Sequence, residues 1–129
     1  MRRAIEGVLY AVPAAIHLLP LYGLAGPAQL QALYGLDFAD PSLQVLMRHR
    51  AVLFGLLGLL LAAAAFRPAL RTLALIGGFA SVLSFFALAY GTDGANAQVM
   101  RVATVDWLAF GCLVVAAALQ LHARRAVAR

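Results

Sequence analysis

Four runs of about 20 mostly apolar residues divide this chain, the length that carries a helix across the hydrocarbon core of a bilayer. They cover about Ala4–Tyr22, Pro41–Phe66, Ala69–Tyr90 and Ala95–Leu121. Of the 129 residues, 64% are hydrophobic and 12% charged, against about 45–50% apolar in soluble proteins. A soluble chain this short has too much surface for its volume to hide that apolar area. The sequence therefore predicts an all-α fold, a four-transmembrane-helix antiparallel bundle forming a single integral membrane domain over residues 1–129.

The breaks between the runs have local causes. Asp40 is placed to cap the second helix, with Pro41 in its first turn. Arg67-Pro68 ends that helix, and the glycine-rich "GTDGAN" turn separates the third from the fourth. The longest non-spanning piece, "GLAGPAQLQALYGLDFADPS", contains no arginine. Within it "PAQLQALYG" predicts a short amphipathic helix at the membrane interface, stopped by Gly35. The first run opens "MRR" as a signal peptide does, but no convincing small-residue cleavage site follows, so it is read as a retained helix.

All positive charge comes from ten arginines, giving a net charge of +5. Arg2, Arg3, Arg67, Arg71, Arg124, Arg125 and Arg129 fall on one side of a four-pass chain, and Asp37, Asp40, Asp93 and Arg101 on the other. By the positive-inside rule this predicts that both termini are cytoplasmic. No basic-aromatic interleaving suggests nucleic-acid binding. The one cysteine, Cys112, supplies neither a disulfide nor a thiolate metal site, and no metal site is predicted. A Gly-rich phosphate loop, Cys-x-x-Cys, His-Glu-x-x-His and a serine nucleophile elbow are all missing. Small multidrug exporters share the helix number, but carry a glutamate well inside their first helix, whereas Glu6 lies at its edge.

Small residues predict how the helices meet, because lipid is as apolar as leucine and only close packing favours association. The second helix offers Arg48, Ala51, Gly55, Gly58 and Ala62, and the third Ala74, Gly77, Ser81 and Ser84. These stripes are expected to pack on each other, with Arg48 along the seam and facing protein.

Polar residues inside the runs are the candidate site. Glu6, Tyr10, Pro13 and His17 share one face of the first helix, where Glu6 is expected to pair with a terminal arginine. At about 1.5 Å per residue, His17 and Ser84 lie about 8–9 Å from their helix ends, and Arg48, His49 and Arg50 about 10–14 Å. Asp106 lies about 16 Å in by the same count. All four helices thus bring a polar group to the outer third of the membrane. A charge at a helix centre costs about 2.5–3.5 kcal/mol on insertion scales, so Asp106 needs a partner, and Arg48 and Arg50 are in reach. That pair is either structural glue or the lining of a polar pocket open outward.

The segments "HLLPLYGL", "LYGLDFADPSLQVLMRHRAVLFGLLG", "AAFRPALR" and "VDW" resemble a group of small bacterial four-helix membrane proteins, over most of the chain. Members often carry the label phosphopantetheine adenylyltransferase. That enzyme is similar to soluble nucleotidyltransferases with an H-x-G-H motif, which this sequence lacks. In length and helix count the chain also resembles, more loosely, the DoxX-like membrane proteins. Neither resemblance carries over an activity or a catalytic residue.

The expected function is therefore binding of a lipid, quinone or other small molecule by His17, Arg48, His49, Arg50 and Asp106. Arginines would engage an anionic head group or a quinone oxygen, Asp106 would orient them, and a histidine would relay a proton. Two further classes stay open: a structural or assembly subunit whose charges only pair helices, and an integral-membrane enzyme acting on a lipid or quinone. No cofactor is predicted, although His17 and His49 leave haem b open as an option. The bilayer is the expected partner, and a homo-oligomer is left open.

Overall fold

The computed structural model describes residues 2–127, so the expected placement of Arg129 lies outside it. The order is α1 (Arg2–Leu18), a 3-10 segment (Leu19–Ala25), α2 (Pro27–Tyr34), α3 (Pro41–Phe66), a 3-10 turn (Pro68–Leu70), α4 (Arg71–Gly91) and α5 (Ala97–Val127). No strand occurs among the described residues. Four segments are long and apolar enough to cross a membrane: Arg3–Ala25, Pro41–Phe66, Pro68–Gly91 and Ala97–Ala126. Ile76, Leu83, Leu88, Leu108 and many other large aliphatic side chains point outward, where water would penalise them and lipid does not.

The ends follow from the sequence. Asp40 caps α3 through its carboxylate, which accepts from the N–H groups of Ser42 (2.6 Å) and Leu43 (3.3 Å). Asn96 does the same for α5, accepting from the Val99 N–H at 2.9 Å. α2 ends as expected at Gly35, which has φ 66° and whose N–H donates to the Gln31 carbonyl. The first span departs from the expected helix to Tyr22. Pro20 has no N–H to continue the α ladder, and the backbone tightens into 3-10 geometry after Leu18. α5 runs six residues past the expected end at Leu121, because its alanines and arginines are strong helix formers even outside the apolar run.

The packing corrects one expectation. The small stripe of α3 lies mainly against α1, which makes the most extensive helix contact in the protein. A Cβ at Gly58 would come within 2.8 Å of Leu18 and 3.2 Å of the Ala14 carbonyl oxygen; one at Gly55 would come within 2.6 Å of Leu21. The α4 stripe is split between two neighbours, Gly77 meeting Leu57 of α3 and Ser81 meeting His17 of α1, while Gly78 beside it meets Leu113 of α5. Adjacency in sequence made α3 and α4 look like the tightest pair, but bulkier residues of α1 and of the 3-10 segment after it fill the groove that the α3 glycines open.

Two polar layers result. At the end of the bundle holding the termini, Glu6 pairs with Arg71 at the start of α4, with both side chains largely buried. The Arg71 Nε donates to the Ala64 carbonyl at 3.3 Å, and its guanidinium lies 5.6 Å from the centre of the Tyr10 ring. Tyr10 donates to Gln120 (3.4 Å), and both Gln120 and Arg124 donate to the Thr72 hydroxyl (2.8 Å each). At the opposite end α2 folds over the bundle as a lid. Its Leu30 and Tyr34 are buried with Phe38 in a small separate core, packed against Leu33, Leu43 and Met47.

Candidate functional site

His17 occupies the last turn of α1, four residues after Pro13. Proline leaves one carbonyl of the preceding turn without its usual donor and breaks the regularity of the helix here. The His17 Nδ1 lies 2.8 Å from the Pro13 carbonyl oxygen, and Nε2 lies 3.2 Å from the Ser81 Oγ of α4. A carbonyl only accepts, so Nδ1 carries the proton; in the neutral ring Nε2 then accepts from the serine hydroxyl. The ring is 2% exposed and stacks on Phe54 of α3 at 5.7 Å between centroids. His17 thus ties α1 to α4 and rests on α3.

Arg50 lies one turn before Phe54. Its guanidinium carbon is 4.7 Å from the Phe54 ring centre, 5.3 Å from Tyr34 and 5.9 Å from Phe85. Its Nη1 donates to the Tyr34 hydroxyl at 3.1 Å. The three rings attract the cation by their faces and hold its plane in place. Tyr34 is fixed in turn, since its backbone carbonyl accepts from the Asn96 side chain at 2.8 Å. The lid is therefore attached to both α3 and α5.

Asp106 on α5 is 7% exposed. No hydrogen bond or ion pair joins its carboxylate to another described residue, and since no fully buried side-chain oxygen among the described residues lacks a partner, its oxygens reach open space. Asp106 lines a cavity of about 230 Å³. The cavity's polar lining is His17, Tyr34, Arg50, Gln98, Arg101 and Asp106; Ile16, Leu33, Phe54, Phe85, Val102 and Val105 supply much of the apolar wall. Every long helix and the lid contribute.

Of the five residues expected from the sequence, His17, Arg50 and Asp106 meet at this cavity, whereas Arg48 and His49 do not line it. Both are exposed. Arg48 was expected on the seam, but the packed line along α3 continues from Gly55 and Ala51 through Met47, which the lid covers, and leaves Arg48 beside it. His49 is a further 100° round the helix from Arg48. A pair of axial histidines would need both imidazoles on one cavity; only His17 lines this one, and both of its ring nitrogens are engaged. Ser84 is likewise exposed, its hydroxyl turned back to the Ser81 carbonyl at 3.0 Å, and Ser81 takes the place expected for it.

Several lining residues escaped the sequence reading. Gln98, Arg101, Val102 and Val105 share one helix face with the expected Asp106, at i, i+3, i+4, i+7 and i+8, a spacing the sequence already contained. Phe54, four residues after Arg50, follows the same logic. Tyr34 had no such signal, because nothing in its local sequence tells that α2 folds back over the bundle. Neither a protein family, a curated protein nor a solved structure matches this chain in comparison.

Proposed function

We propose that this chain is a four-pass protein of the bacterial inner membrane, with cytoplasmic termini, that binds the polar head of a small membrane-soluble molecule in the cavity beneath α2. A lipid or quinone head is the chemistry in view. The orientation rests on charge: Arg3, Arg67, Arg71, Arg124 and Arg125 gather at the terminal end, while Asp37, Asp40 and Asp93 belong to the other. The binding function rests on one observation above all. Asp106 is largely buried from the outside, lines a cavity shared with Arg50 and His17, and turns its carboxylate to that open space instead of to another described side chain. A carboxylate used only to join helices is expected in contact with its arginine, because an unpaired charge in a low-dielectric layer is costly.

The cavity is smaller than the roughly 300–1,000 Å³ of drug-sized pockets, so it suits a head group rather than a whole lipid. Mass spectrometry of molecules retained by the gently purified protein tests the proposal. The wild type is expected to retain a compound that is lost from Val102→Phe, in which the added ring fills the cavity. Identical extracts from two equally folded proteins overturn it.

A further inference from the structure

We infer that the ligand of this cavity carries a ring hydroxyl, as in a phenol or hydroquinone head, which donates to Asp106 while an oxygen of the same head accepts from Arg50. The inference rests on the binding function proposed above and narrows it to a chemical class.

Hydrogen-bonding capacity comes first. An ionised carboxylate accepts and cannot donate. Asp106, 7% exposed and turned to the cavity, is satisfied only by a donor that enters the cavity, water when it is empty and the ligand when water is displaced. Arg50 has the opposite need: one of its N–H groups is spent on Tyr34, and a guanidinium has five, none of which accepts. A ligand that displaced the water and met only Arg50 would leave Asp106 buried without a partner. A head that donates at one atom and accepts at another satisfies both.

Charge removes the main competitor. A cationic amine would also donate to Asp106, but Arg50 and Arg101 line the same cavity and leave it with an excess positive charge. In a low-dielectric site a second cation is repelled far more strongly than in water. A neutral or anionic donor remains. The walls then favour a ring, since Phe54, Phe85 and Tyr34 line the cavity around the Arg50 guanidinium and give it an aromatic surface. The size agrees: a cavity of about 150 Å³ accepts benzene, so 230 Å³ leaves room for a ring with polar substituents.

The test compares para-heptylphenol with para-heptylanisole, the same molecule with its hydroxyl methylated, and with 1-nonanol, each titrated into the full-length protein in detergent. The phenol is expected to bind about 10- to 100-fold more tightly than the ether, the range of a hydrogen bond to a charged group. Asp106→Leu should abolish that preference, and Asp106→Asn should shrink it if the leucine variant does not fold. Equal binding of phenol and ether to the wild type overturns the inference, as does a preference that survives both substitutions. Binding of 1-nonanol as tight as that of the phenol overturns the ring and leaves the hydroxyl. If neither aromatic probe binds, the class is wrong, whereas the retained-molecule experiment with Val102→Phe decides separately whether the cavity binds anything.

Discussion

The two ends of this bundle handle buried charge in opposite ways. At the terminal end, the Glu6 carboxylate meets Arg71, and the surrounding Tyr10, Gln120, Thr72 and Arg124 close a chain of hydrogen bonds across α1, α4 and α5. At the lid end, Arg50 is held by aromatic faces and Tyr34, and Asp106 lines the cavity with no hydrogen bond to another described residue. In each layer one acid lies near a well-buttressed arginine, Arg71 at one end and Arg50 at the other. The difference is that the first spends its acid on its arginine and the second does not. A protein that needs only to fold gains from the first arrangement; the second makes sense where something else completes it.

The comparison can be broken by substitutions, beginning with the largest effect. Glu6→Gln strands Arg71 in a largely buried position, and loss of one partner of such a pair costs about 3 kcal/mol. A marked fall in thermal unfolding temperature is expected, and no fall would mean the terminal layer is not structural. His17→Ala removes the tie between α1 and α4 and leaves the Ser81 hydroxyl without its imidazole, a loss of about 2 kcal/mol. It should also reduce the retained ligand, since His17 lines the cavity.

Tyr34→Phe deletes one hydrogen bond to Arg50 and keeps the ring, so about 1 kcal/mol is at stake. Its main effect should appear in faster ligand dissociation, because the lid loses its hydrogen bond to α3 while keeping its packing on Leu43 and Met47. The smallest change is expected from Arg48→Ala combined with His49→Ala. Both side chains are exposed and outside the cavity, so stability should stay within about 0.5 kcal/mol and ligand retention should not change. A loss of ligand there would return the whole "MRHR" cluster to the site.

Much of this arrangement was legible before any coordinates. Run lengths predicted the long helices, and Asp40, Gly35 and Arg67-Pro68 predicted where elements begin and end, because caps and breakers act within a turn of themselves. Three of the polar residues expected to form a site do converge, since a charge placed deep in an apolar run has few alternatives to facing protein. The cluster at Arg48–Arg50 shows where local reasoning stops. Three consecutive residues point in three directions, and which of them faces the cavity depends on how far the neighbouring helix extends.

What this sequence determined alone was a set of long apolar helices, their ends, and the presence of polar groups at matching depth, all consequences of composition and short-range backbone chemistry. Tertiary structure decided which helix fills the glycine groove of α3, that α2 returns to cover the bundle, and that Arg50 rather than Arg48 looks inward. Those outcomes depend on contacts between residues far apart in the chain, such as Tyr34 with Arg50 and Asn96, or His17 with Ser81. Helical periodicity gives each residue a direction, but only packing decides what lies in that direction.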